Sequence, residues 1–161
     1  MVALSVAALL MAIGIPTFRE IIASNRLTED ANDMVAAMMF ARSEAIKSNQ
    51  GITFCRADSD GATTCSSATG SWPFWIVRNP AGAVLRRGEL PNFGGNIVVK
   101  NTLTSNQVTF ASDGLARTNN GLINGQTITV CSNHSLTNNQ RLITLGAGSR
   151  IAVTRVSGVC P

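Results

Sequence analysis

The chain has 161 residues, 45% of them hydrophobic and only 14% charged, with a formal net charge of +4. This suits one domain with its own core plus an apolar extension, and excludes a disordered chain. There is no Tyr and a single His, His134, which leaves few side chains for acid–base catalysis and rules out a multi-histidine metal site.

Met1 to Ile15 reads MVALSVAALLMAIGI, without a charge and with Ser5 as its one polar side chain. As a helix this run covers ~22 Å, short of a ~30 Å hydrocarbon core. It fits the core of a signal peptide, a buried helix, or a transmembrane helix whose beginning lies upstream. A secretory signal should open on a basic stretch and close on small residues; nothing basic precedes Arg19, and Gly14-Ile15-Pro16 is a poor cleavage site.

The helical pattern continues to residue 50. Phe18, Ile21 and Ile22 share one face. Ala31, Met34, Val35, Met38 and Arg42 then repeat at i, i+3, i+4, and Met39, Ala45 and Ile46 widen the stripe. Glu29, Asp30 and Asp33 fall off it, as a solvated acidic face or as partners for a neighbour's arginines. Gly51 is a natural stop. The division expected is an apolar, protruding half at 1–24 and an amphipathic half at 25–50 that belongs to a globular unit, 25–161. Gly14 and Pro16 should break or bend the helix, because proline cannot donate to the helical ladder.

Beyond Gly51 the periodicity becomes strand-like. Ile52–Arg56, Phe74–Arg78, Ala83–Arg87, Asn96–Lys100, Gln107–Ala111, Gln126–Cys131, Arg141–Leu145 and Arg150–Val156 are short and rich in Val, Ile, Thr and Phe. Asn79-Pro80-Ala81-Gly82 reads as a hairpin turn, and Asp58–Ser71 as a polar loop. The fold class is α+β: a long N-terminal helix packed on antiparallel sheet.

Four cysteines, Cys55, Cys65, Cys131 and Cys160, are widely spaced with no C-x-x-C, which speaks against zinc. Three pairings are open. The local one, Cys55–Cys65 with Cys131–Cys160, would staple the polar loop and pin the C-terminus in an oxidising compartment. Charge is unevenly spread: residues 51–161 carry nine basic and four acidic side chains, and none of the acids follows Asp113. Arg117, Arg141, Arg150 and Arg155 all do, giving a cationic C-terminal third that suits DNA phosphates or acidic patches on other subunits. No nucleophile–base pair, phosphate loop or ligand cluster can be assembled, so neither an enzyme nor a cofactor-binding protein is expected.

The run M-V-A-L-S-V-A-A-L-L-M-A-I-G-I-P-T-F resembles the N-terminal segment of type IV pilins and type II secretion pseudopilins, with Pro16 at the position of the family's helix proline. In those proteins about six residues, including an N-methylated Phe and a Glu, precede this point; restoring them brings the apolar run to ~21 residues, enough to span a bilayer. Phe110-Ala-Ser-Asp113-Gly114, Ile128-Thr-Val-Cys131, Arg141-Leu-Ile-Thr-Leu and the terminal Cys160 are similar, in their order, to the GspH/FimT family. Asn25-Arg26-Leu27 and Ala41-Arg42-Ser43-Glu44-Ala45 extend the resemblance over nearly the whole chain. It implies a minor pilin or pseudopilin, anchored in the inner membrane with a periplasmic domain. Its partners would be other pilins or pseudopilins, and the C-terminal Cys pair leans toward the pilus members. Some family members bind DNA through G-R-x-R. Here Arg150 stands one position late and Ala152 replaces the second arginine, while strand alternation puts Arg150 and Arg155 on opposite faces. Arg150 is then the best candidate phosphate contact, with Arg155, Arg141 and Arg117 as helpers.

Overall fold

The computed structural model describes residues 2–90, 97–118, 121–134 and 136–160, with side chains from Glu20 onward. Among the described residues one α-helix, α1 (Val2–Ser48), is followed by ten strands. These are β1 (Ile52–Ala57), β2 (Phe74–Arg78), β3 (Val84–Glu89), β4 (Ile97–Asn101), β5 (Gln107–Phe110), β6 (Ala116–Thr118), β7 (Gly121–Leu122), β8 (Gln126–Ser132), β9 (Gln140–Gly146) and β10 (Arg150–Val156). The eight expected strands are present, give or take an end residue, although Asn96 lies outside the described residues. The short β6 and β7 were not foreseen, because two or three residues cannot display an alternation.

The strands form the expected antiparallel sheet structure, divided into two sheets in the orders β3-β2-β1-β5-β6-β7 and β10-β9-β8-β4. Alternation states which residues point inward but not which strands hydrogen-bond, so the split was invisible in the pattern. The helix lies over both sheets, touching β1, β2 and β5 of the first and β8 and β9 of the second. Its buried face is Leu27, Ala31, Met34, Ala37, Met38, Ala41 and Ala45. Four of these are alanines, which let the helix backbone sit close to the strands. Burial of Leu27, Met34 and Met38 contributes about 1.5–3 kcal/mol each.

Three expectations for the helix are corrected. Met39 and Ile46, read as part of the inner stripe, are 51% and 54% exposed, because the two sheets cover a face centred on Leu27 and Ala45. Asp30, read as solvated, is buried. The helix also runs through Gly14 and Pro16 without a break. Proline's fixed φ is compatible with helix, and its cost is one missing ladder bond rather than a forced interruption. The side chains of the apolar run Met1–Ile15 lie outside those described, and among the described residues no helix is long and apolar enough to cross a membrane.

The first sheet carries the aromatic core. Phe54 packs between Trp72 and Trp75, with ring centroids 5.7 and 5.8 Å away. Gly88, opposite Trp75 in the β2–β3 register, leaves room for the indole: a Cβ there would stand 2.1 Å from the ring.

Candidate functional site

The four candidate phosphate contacts have quite different surroundings. Arg141 sits on the row of β9 that faces the helix and is 1% exposed. Its Nε donates to Thr28 Oγ1 (3.1 Å), and its Nη2 donates to the Ser24 hydroxyl (3.0 Å) and the Ser24 carbonyl (3.3 Å). Nη1 donates to the carbonyls of Asn138 (2.9 Å) and Gln140 (3.1 Å). Burial, and then the charge of Arg155 on the adjacent strand, push its pKa down. Arg141 is therefore a clamp between helix and sheet, and its assignment as a phosphate contact is corrected: a nucleic-acid backbone has no access to it.

Arg117 is also occupied. Its two terminal nitrogens grip both carboxylate oxygens of Asp113 at 2.7 and 2.6 Å. This fork holds the Asp113 carboxyl well below the usual carboxylate range, helped by the Leu115 amide. To contact a phosphate, Arg117 would have to exchange this exposed pair for the new partner. The F-x-x-D-G segment is the turn that presents this aspartate. Asp113 Oδ1 accepts from the Leu115 amide (2.9 Å), the Gly114 amide donates to Ala111 O (2.8 Å), and Gly114 has φ +76°. A side chain at Gly114 would also meet Ile46 at 2.9 Å. The motif is thus explained by turn conformation and close approach to the helix.

Arg150 and Arg155 are exposed. The β9–β10 register is regular from Arg150↔Gly146 to Val156↔Gln140, so no bulge brings the two arginines to one face. The residue before Arg150 is tied to the helix. Arg42 of α1 donates to the carbonyl of Ser149 (3.4 Å), while the Ser149 hydroxyl accepts from the Ala116 amide. The helix, the β5–β6 turn and the β9–β10 turn therefore meet at Ser149, a convergence that no local pattern announces.

Two disulfides secure the periphery. Cys55–Cys65 spans 10 residues and Cys131–Cys160 spans 29. Inside the first loop Arg56 is buried, donating from Nη1 to Ser66 Oγ (2.7 Å) and from Nε to Ser71 O (3.1 Å), and pairing with Asp58 at 2.7 Å. Sequence reasoning missed this role, although an arginine directly after a cysteine and before an acidic loop was the available signal. Arg87 braces the same loop by donating to the Asp60 carbonyl. At the second bridge the Asn139 side chain brackets the tail, donating to Gly158 O (2.8 Å) and accepting from its amide (3.0 Å).

One further buried charge lies under the helix. Asp30 is 7% exposed, its Oδ2 has no hydrogen-bond partner, and its pKa is raised to about 6 by burial and by Glu29 and Asp33. His134 is exposed; its backbone amide donates to Ser132 Oγ (3.2 Å) and its carbonyl accepts from the Leu136 amide (2.8 Å). No metal-ligating cluster occurs among the described residues. A cleft of about 200 Å³ opens between the sheets beside Arg56, Trp72, Leu90 and Val99, and its one charged group is the committed Arg56. Among the described residues the geometry offers clamps, staples and faces.

A single long helix laid across antiparallel sheets, with its N-terminal part extending ahead of the contact face, defines a pilin-like fold. The chain belongs to the GspH family: a match to the type II transport protein GspH covers residues 30–150. Two solved structures share the fold. The type IV minor pilin FimU of Pseudomonas aeruginosa is 19% identical with a TM-score of 0.59, over 81% of this chain and 90% of that one. The minor pseudopilin EpsH of the Vibrio cholerae type 2 secretion system is 12% identical with a TM-score of 0.55, over 81% and 97%. No curated protein matches the chain in sequence at a significant level.

Proposed function

We propose that this protein is a structural, non-enzymatic minor subunit of a type IV pilus, taking part in filament assembly or priming. The observation that carries this reading is the division of α1. Leu27 to Ala45 supply its contact face, while Ile21 and Ile22 ahead of them are exposed. The preceding apolar run, 1–24 in the division above, is then free to pack among other helices and to anchor in the inner membrane before assembly, with the globular unit 25–161 in the periplasm. The pilus is preferred to a secretion pseudopilus because of the Cys131–Cys160 pair at the C-terminus, the feature that resembles the pilus members.

The test is genetic and biochemical. Deleting the gene should lower the number of surface filaments and leave exoprotein secretion intact, and the protein should be recovered with sheared filaments. Secretion lost with filaments retained would instead assign it to a pseudopilus. A DNA-binding role has less support, since Arg141 is buried and Arg117 is held by Asp113. It rests on Arg150, which is exposed and directly follows Ser149, whose carbonyl accepts from Arg42. Titration with short duplex DNA at low salt, wild type beside Arg150→Gln, decides it: no binding, or binding unchanged by the substitution, removes that role.

A further inference from the structure

The two flanks of α1 differ in charge. On one side Ile21, Val35, Met39 and Ile46 recur at helical spacing around Ser24, Thr28 and Arg42, with no acidic residue among them. This flank runs along β9 and the turn into β10, as the bonds from Arg141 to Ser24 and Thr28 and from Arg42 to Ser149 show. β10 is the outer strand of its sheet and also lacks acids. Ile151, Val153 and Arg155 lie opposite Leu145, Ile143 and Arg141, so they prolong the buried row of β9 one strand beyond the cover of the helix. The result is a trough with Met39 51% and Val153 40% exposed, and with Arg155 open at one end.

The other flank, about 130° around the helix, carries Glu29 and Asp33, both exposed, between Ile22 and Phe40, with one cation, Arg26, a turn ahead of them. It has what the trough lacks: carboxylates set beside apolar side chains. Two such faces on one molecule are complementary and not identical. A contact between them is heterologous, and its repetition gives an open, helical string of subunits rather than a closed dimer.

The geometry points to a head-to-tail contact in which the β10–α1 trough of one copy receives the Glu29–Asp33 flank of a second copy of this chain. Arg155 faces the carboxylates, and Val153 and Met39 lie against Ile22 and Phe40. This inference rests on the filament reading above and adds to it a specific lateral surface. Opposite charges at the rim set register and partner choice more than affinity, so charge reversal should disrupt the contact and double reversal should restore it.

The experiment uses the full chain with a photo-crosslinking amino acid in place of Val153, with crosslinked peptides mapped by mass spectrometry. Crosslinks should fall within residues 22–40 of a second copy. Asp33→Arg and Arg155→Glu should each lower the yield about fivefold or more, and the two changes in one chain should restore it to within about twofold of the starting value. Crosslinks that land elsewhere on the second copy, or only on a different protein, overturn the proposal, as do charge reversals without effect. Recovery of the same variants with sheared filaments separates the two readings. A chain that enters filaments without the crosslink sinks this contact alone, and a chain that never enters filaments sinks the filament reading.

Discussion

The two sheets each hold a buried arginine, and the two are stabilised in different ways. Arg56, in the first sheet, has a carboxylate: Asp58 stands 2.7 Å away at the surface, while Ser66 Oγ accepts from Nη1 and the Ser71 carbonyl from Nε. Arg141, in the second, has no carboxylate among its described partners and relies on two hydroxyls and three carbonyls, those of Ser24, Asn138 and Gln140. The first arginine organises a loop within its own sheet. The second joins an edge of the core to the helix across 117 and 113 residues of chain. A charge solvated by backbone dipoles is sensitive to every group around it, because no single strong partner compensates if one is lost. The helix–sheet seam should therefore be the more fragile region.

Arg141→Ala tests this most severely. It leaves a cavity and strands several acceptors, and should cost about 3–4 kcal/mol by urea denaturation, against about 2 kcal/mol for Arg56→Ala. Arg141→Met fills the space without a charge and should recover about half of that loss. Equal losses at Arg56 and Arg141 would erase the distinction between the two regions.

The disulfides come next. In the chain-entropy picture the bridge spanning 29 residues contributes about 3.6 kcal/mol and the one spanning 10 about 2.7 kcal/mol. Cys131→Ser should thus destabilise more than Cys55→Ser, and should also speed amide exchange and proteolysis at β10, whose tail it anchors. Protection of β10 unchanged in Cys131→Ser would mean that the Asn139 bracket suffices alone.

Asp30 sharpens the comparison from the helix side. Its pKa is near 6 in the folded protein against an ordinary 3.8. A raised folded-state value means that the native protein holds the extra proton between about pH 4 and 6, so stability falls as pH rises through that window. Above it the full penalty applies, and below it the penalty is gone. Asp30→Asn should therefore stabilise the protein at pH 7 by about 1–2 kcal/mol and flatten the slope between pH 4 and 6. A destabilised variant would show that the carboxylate has a favourable partner in the seam.

The smallest effects belong to the exposed cations. Arg150→Gln and Arg155→Gln should each change stability by less than about 0.5 kcal/mol in the same denaturation series. A larger loss would place them with Arg56 and Arg141 as structural groups and not as surface charge.

Much of this was legible from residue order. The long helix, the change of period at Gly51 and eight of the strands are short-range features, each readable from spacing and turn chemistry; of the three cysteine pairings left open, the structure has the local one. The family was legible as well, from an apolar run with Pro16 and from the order of weak motifs around Asp113, Cys131 and Cys160. Exposure was not legible. Arg141 and Arg150 sit at opposite ends of neighbouring strands and looked equally basic, yet one is sealed beneath Ser24 and Thr28 and the other stands in solvent. Asp30 and Asp33 share a helix but not a fate, because the sheets reach one and stop short of the other. The sequence by itself determined the long helix, eight of the strands and the sign of the charge in each region, since these depend on neighbours a few residues apart. Only the tertiary structure decided which charges are clamps and which are faces. That choice depends on where two sheets divide and how far each extends under one helix, which contacts between residues more than a hundred positions apart must fix.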